Sequence, residues 1–287
     1  MFADLSTGAV GIHGASLEET IELAKTNGFG GIDPALQELA ALADPGEAAG
    51  MVRAAGLRWG GFNLPVEFRK DEATWQTGME ALRKLAPVAK KIGCTRAFTW
   101  IMPGTDDLDY QANYAQHVKR LKPVAAILGE NGVRFGLEFV GPKTLRDRFK
   151  HPFLYRIDQM IELADAISPD AGSKEAMTGV LLDAFHWYTS KGTVADIKNL
   201  LPNRRIVYVH INDAMAGPGP DEQRDGQRAL PGDTGVIDLK GFMGALKAVG
   251  YDGPVAAEPF MKELSQRPHA ETAARVGATV LRTIGLA

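Results

Sequence analysis

Eight short apolar runs, each followed by a stretch long enough for a helix, constrain this chain more than any other feature in it. They are Gly8 to His13 (GAVGIH), Phe29 to Pro34 (FGGIDP), Leu57 to Pro65 (LRWGGFNLP), Thr95 to Ile101 (TRAFTWI), Arg134 to Val140 (RFGLEFV), Gly179 to Trp187 (GVLLDAFHW), Arg205 to Asp213 (RIVYVHIND) and Gly253 to Phe260 (GPVAAEPF). Amphipathic stretches lie between them. Ser16 opens one, with Glu19 placed as a capping-box partner and Gly28 as a stop; Tyr110 to Gly129, Asp238 to Val249 and Ala270 to Ile284 carry apolar residues at helical spacing. Each pair takes roughly the 30 residues of a strand and its crossover helix. Near-continuous apolar strands imply a parallel sheet covered on its faces, and eight such units close on themselves. The competing doubly wound sheet wants a Gly-rich phosphate turn after its first strand, where this chain has GIHGAS. The reading is α/β, a single (β/α)8 TIM barrel in one domain over residues 1–287.

Composition agrees and excludes some partners. The chain is 45% hydrophobic and 23% charged, with no linker, charge block or low-complexity tract. A net charge of −3 offers no basic surface for nucleic acid. One cysteine, Cys94, cannot form an intrachain disulfide and suits a reducing compartment. The opening MFADLSTGAV lacks the basic and apolar regions of a leader, and no run is long enough to span a bilayer. A cytoplasmic protein with no membrane partner is expected.

Barrel chemistry sits at the carboxyl ends of the strands. There the last four runs carry Glu138, Asp183 with His186, His210, and Glu258. Strand alternation puts Glu138 on the face of Gly136, His210 on that of Tyr208, and Glu258 on that of Ala256. Taken singly, each has an ordinary explanation: a solvated Glu, a hydrogen-bonded core His, an Asp183 that caps a helix beside His186. Four consecutive strands ending this way favour one shared purpose. Carboxylates so close must share a proton or bind a cation. Three carboxylates and an imidazole suit one divalent metal ion, Mn2+ or Mg2+ first, with Co2+ and Zn2+ as alternatives.

These residues resemble the xylose isomerase-like TIM barrels, the sugar phosphate isomerase/epimerase superfamily. The resemblance rests on Glu138, on D-x-x-H at Asp183 and His186, on His210 followed by Asn212 and Asp213, on RALPGDTGVID from Arg228 to Asp238, and on Glu258-Pro259. It implies that Glu138, Asp183, His210 and Glu258 hold the metal, that Glu138 and Glu258 act as acid and base, and that His186 and Arg228 face the substrate. The implied activity is a metal-dependent sugar isomerase or epimerase that takes a proton from a carbon next to a carbonyl, through an enediolate. A lyase or dehydratase acting on a keto-sugar, keto-glycoside or inosose shares that first step and is the alternative, with His186 or Lys143 as proton donor.

Some features depart from the pattern. Ketose 3-epimerases typically carry N-R-[YF]-E after the fifth-strand Glu, where this chain has FVGPKTLR; Lys143 and Arg146 on that loop are candidates for an anionic or polyhydroxylated substrate. The apurinic endonuclease branch needs a D-x-H in the seventh loop, which here reads DGQRAL. His13, Glu67 and Trp100 fall near strand ends as pocket candidates, with Asn63 and Phe260 beside them. The Gly-rich loop from Met215 to Gly232 serves as a lid, an oligomer contact in a homo-oligomer, or both. A non-catalytic binder that keeps the metal is the remaining alternative.

Overall fold

Gly60 and Gly61 mark the place where the barrel closes. The computed structural model describes residues 1–168, 177–201 and 204–286; the other positions of the 1–287 span lie outside the described residues. Its barrel strands are β1 (Phe2–Leu5), β2 (Gly31–Ile32), β3 in two segments (Arg58–Trp59 and Phe62–Asn63), β4 (Arg96–Ile101), β5 (Arg134–Phe139), β6 (Thr178–Asp183), β7 (Ile206–Ile211) and β8 (Pro254–Ala257). The first segment of β3 pairs in parallel with β2 and the second with β4. Hydrogen bonding runs from one segment round to the other, so the two ends of the sheet belong to one strand and the ring is complete.

The helices form the outer layer. Ser16 caps Leu17–Thr26 as expected, its Oγ accepting from the Glu19 N–H at 3.2 Å, and the helix stops ahead of Gly28 at φ 74°. The expected helices at Tyr110, Asp238 and Ala270 appear as Tyr110–Glu130, Leu239–Ala248 and His269–Ile284. Most of the core lies between barrel and helices. A smaller plug of Phe98, Leu181, Tyr208 and Ala256 fills the barrel interior. Side chains alternate along a strand, so Leu181, Tyr208 and Ala256 sit two residues below Asp183, His210 and Glu258 on the same inward face. The apolar plug is therefore the floor on which the polar residues stand.

The first strand differs from the sequence reading. Gly8 to His13 is a turn, with Ile12 N–H donating to Thr7 O at 2.9 Å and Gly11 at φ 77°, and the strand is Phe2–Leu5. A short apolar run cannot distinguish strand from turn by periodicity, and Asp4 in the middle of FADL made the true strand look polar. The sixth strand also ends earlier than read: Ala184–Thr189 is a helix, and His186 sits on it.

Candidate active site

Asp183 fills two of the roles weighed for it at once. Its Oδ1 accepts from the N–H groups of Phe185 (2.6 Å) and His186 (3.1 Å), capping the helix Ala184–Thr189. Its Oδ2 points to the barrel mouth, where it accepts from Asn212 Nδ2 (3.0 Å) and Arg228 Nη1 (3.0 Å). Asn212 in turn accepts the Glu258 N–H at 2.8 Å, tying the ends of β6, β7 and β8 together.

Parallel pairing sets the level of these groups: His210 lies beside Asp183 on one side and Ala256 on the other. One ligand atom from each of Glu138, Asp183, His210 and Glu258 lies within 4.8 Å of all the others. Two ligand atoms on opposite sides of a cation at about 2.1 Å stand about 4.2 Å apart, so small side-chain adjustments would close this set around an ion. His210 Nδ1 is 3.3 Å from Glu258 Oε2, 3.5 Å from Glu138 Oε1 and 3.9 Å from Asp183 Oδ2. Glu138 Oε1 and His210 Nδ1 are buried without a hydrogen-bond partner. Unpaired buried polar atoms aimed at one point are what a cation would satisfy. The donor set fits a divalent ion.

The charges of the cluster say the same. Burial pushes the Glu138 carboxyl above its ordinary range, opposed mainly by the neighbouring His210 imidazole. Burial alone would lower His210, but the carboxylates of Glu258 and Glu138 hold it well above the usual imidazole value. Burial would raise Glu258 too, yet His210 and Arg228 bring it down to about 2. An imidazolium here occupies the electrostatic place of a cation. With a dication bound and His210 neutral, the three buried carboxylates are balanced by the metal and the Arg228 guanidinium.

Arg228 stands at the end of a short antiparallel pairing, Asp213–Ala214 with Arg228–Ala229. Nη1 reaches Asp183 Oδ2 and Glu258 Oε2 (3.1 Å); Nη2 reaches Asp225 Oδ1 (2.8 Å) and lies 3.2 Å from His186 Nε2. The rings of Phe185 and Phe260 flank its guanidinium at 4.7 and 4.4 Å. Asp213 holds the supporting loop in place, accepting backbone N–H bonds from Ala214, Thr234, Gly235 and Ile237.

A cleft of about 690 Å3 opens over the cluster, and Glu138, His186, His210, Arg228, Glu258, Trp100 and Phe260 line it. Arg69 braces the Trp100 ring from 4.2 Å. Of the substrate-binding candidates, Lys143, Arg146, Glu67 and His13 do not line it. Lys143 is half-exposed and pairs with Asp147 one turn on, because the chain after β5 winds into a short helix, Lys143–Arg146, that carries the ammonium outward. Glu67 is taken by Arg69 at 3.1 Å, and His13 is exposed on the turn that replaced the expected first strand. Two acidic residues stand out among the cleft residues that the sequence reading does not include. Asp225 lies in the Gly-rich loop and Asp33 ends the second apolar run. Asp33 carries the same signal as Glu138, a carboxylate near the end of an apolar run.

The profile of the xylose isomerase-like TIM barrel matches residues 21–284. The chain belongs to that family. An inosose isomerase of Bacillus subtilis (strain 168) is 29% identical over 133 residues, 46% of this chain and 42% of that protein. A 3-dehydroshikimate dehydratase of Pseudomonas putida (strain KT2440) is 33% identical over 97 residues, 33% of this chain and 15% of that protein. The chain spans 15% to 55% of the length of the curated relatives it matches. Over nearly full length, 99% of this chain and 98% of the other, it superposes with a TM-score of 0.80 and 19% identity on a crystal structure described as IOLI protein with a binding zinc atom. Relatives of this xylose isomerase-like chain are thus isomerases and a dehydratase of small molecules. Among its described residues no helix is long and apolar enough to cross a membrane.

Proposed function

We propose that the chain is a divalent-metal-dependent isomerase or epimerase of a sugar or cyclitol ketone. One observation carries this reading: four ligand atoms from four consecutive strands converge within 4.8 Å, and Glu138 Oε1 and His210 Nδ1 among them have no hydrogen-bond partner. A dication held by Glu138, Asp183, His210 and Glu258 would polarise a hydroxyketone and make the carbon beside the carbonyl more acidic. Glu138 and Glu258 reach the cleft from non-adjacent strands, so one carboxylate takes the proton and the other returns it from a different side. Return to the same carbon's other face gives an epimer; return to the neighbouring carbon gives an isomer. Arg228 and His186 border the same space and stabilise negative charge as it develops on the substrate oxygens.

A dehydratase is the second reading, favoured by the His186 and Asp225 side chains 3.8 Å apart in the cleft wall, where a proton could be delivered to a departing hydroxyl, and by the dehydratase relative. Incubating metal-loaded protein in D2O with inososes and ketoses, read by NMR, tests both. Deuterium on a carbon next to the carbonyl with an isomeric product supports the first reading. Loss of water supports the second. No exchange with any member of the panel leaves a binder and defeats both. Glu258→Gln should abolish exchange and weaken metal binding.

A further inference from the structure

All four metal-ligand candidates lie on β5 to β8, which leaves the half of the ring from β1 to β4 to face whatever extends from the reacting carbon. A barrel interior is normally plugged by apolar side chains. This half instead holds two carboxyls. Asp4, on β1, is fully buried, and Asp33, just past β2, lines the cleft. The two carboxyls are close neighbours, and each shifts the other's protonation. Tyr208 donates to Asp4 Oδ2 at 2.7 Å and lies 3.1 and 3.3 Å from the two oxygens of Asp33. The Gly61 N–H donates to Asp33 Oδ1 at 2.8 Å.

The backbone makes room for this pair. A Cβ on Gly60 would stand 2.1 Å from Asp4 Oδ2 and 2.5 Å from Asp33 Oδ1. The two-glycine break in β3 therefore admits both carboxyls where any side chain would exclude them. Burial raises Asp4 and Asp33 alike, and Asp33, which accepts the Gly61 N–H and borders the cleft, is the better placed of the two to carry the charge. Asp33 then presents a fixed acceptor to the cleft, with the Asn63 side chain lining the same wall.

Positive charge in the cleft is scarce. Among the described residues that line it, Arg228 is the one Lys or Arg, and its guanidinium is committed to Asp183, Glu258 and Asp225. Lys143 pairs with Asp147, and Arg146 donates to Gly141 O at 3.1 Å and stacks on Tyr155. A phosphate or carboxylate at the far end of the substrate would meet Asp33 with no cation to offset it.

We infer that Asp33 binds a hydroxyl of the substrate remote from the metal centre, and that the cleft takes uncharged polyhydroxy ketones while rejecting phosphorylated or carboxylated ones. This rests on the reading of the cleft as a hydroxyketone site. Hydroxyls donate well to an ionised carboxylate, and loss of one such bond in a desolvated cleft weakens binding by about ten- to hundredfold.

Calorimetric binding of an inosose and of 3-dehydroshikimate, a carboxylated ring ketone, to metal-loaded wild type, Asp33→Asn and Asp33→Ala tests it, with metal content and melting temperature read on each variant. The wild type should bind the inosose at least tenfold more tightly than the acid. Asp33→Ala should lose about ten- to hundredfold in inosose affinity with its metal retained. Asp33→Asn, which keeps a hydrogen-bonding group but drops the charge, should bind the inosose within a few-fold of wild type and the acid more tightly than wild type does. Equal wild-type affinity for the two ligands, no binding of either, or unchanged inosose binding by Asp33→Ala overturns the inference. So does loss of metal or of the folded state in both variants, which would mark Asp33 as structural. Binding is read without turnover, so an inosose that binds as described but exchanges no deuterium defeats the proposed reaction and leaves this inference standing.

Discussion

Arg228 and Asp183 form an ion pair sealed from solvent, Nη1 to Oδ2 at 3.0 Å with side-chain exposures of 1% and 0%. Removing one partner of such a pair leaves an uncompensated buried charge, which typically costs about 3 to 5 kcal/mol. Arg228→Ala should therefore destabilise the metal-free protein by that order. A dication at the neighbouring cluster supplies the missing positive charge, so saturating metal should stabilise the variant by more than it stabilises wild type. Thermal unfolding with and without metal reads this directly. Equal gains in the two proteins would show that the guanidinium and the ion do not share a task.

The proton on His210 competes with the metal. Glu258 and Glu138 hold that imidazole protonated well above its ordinary value, whereas a metal ligand must be neutral. Binding of the ion then releases a proton as long as the pH lies below the raised value. Apparent affinity should climb about tenfold per pH unit across the neutral range. Competition titrations against a chromophoric chelator measure the slope, and a flat profile would count against His210 as a ligand.

The parts of this protein legible from sequence were those where one side chain carries its own signal. Glu138, Asp183, His210 and Glu258 each interrupt an apolar run at a strand end, and the structure gathers them. The barrel was legible because eight apolar runs recur at the spacing of a strand plus a helix. Asp4 is not legible because its carboxylate disguises the strand that carries it, and the apolar run that reads as the first strand begins six residues later. The outward course of Lys143 was hidden for a different reason: loop direction depends on the short helix after β5, which no periodicity announces in four residues. Asp213 shows a third kind of gap. Its place in the sequence motif was visible, but its use as an acceptor for the N–H groups of Thr234, Gly235 and Ile237 depends on a turn more than twenty residues away.

Asp213 is buried with both oxygens spent on backbone donors. Asp213→Ala strands several N–H groups away from water, and hydrogen bonds to a charged acceptor contribute about 1.5 to 3 kcal/mol each. A loss of roughly 3 to 5 kcal/mol is expected once partial rearrangement of the loop is allowed for. Arg228 is carried by the strand paired with Asp213–Ala214, so the loop at 234–237 and Arg228 should loosen together. Denaturant unfolding gives the first number, and amide exchange at Thr234, Gly235 and Ile237 gives the second. Fast exchange at those amides in the wild type would remove the premise.

Asp4 offers a stability test that needs neither metal nor substrate. Burial, reinforced by the Asp33 charge, holds its carboxyl well above the ordinary value, so the native state binds this proton more tightly than the unfolded chain does. The sign follows from linkage. The contribution is fully present below the unfolded pKa near 3.9 and is lost as pH rises through the folded value, with a limiting slope of about 1.4 kcal/mol per pH unit. Asp4→Asn keeps the shape of the protonated acid, can still accept from Tyr208, and has no proton to lose. Its stability relative to wild type should therefore increase from mildly acidic to mildly alkaline conditions. Urea unfolding of the two proteins over that range decides the matter: a difference that stays constant would mean that Asp4 is ionised in the native barrel, and that the pair carries two charges on the floor of the cleft.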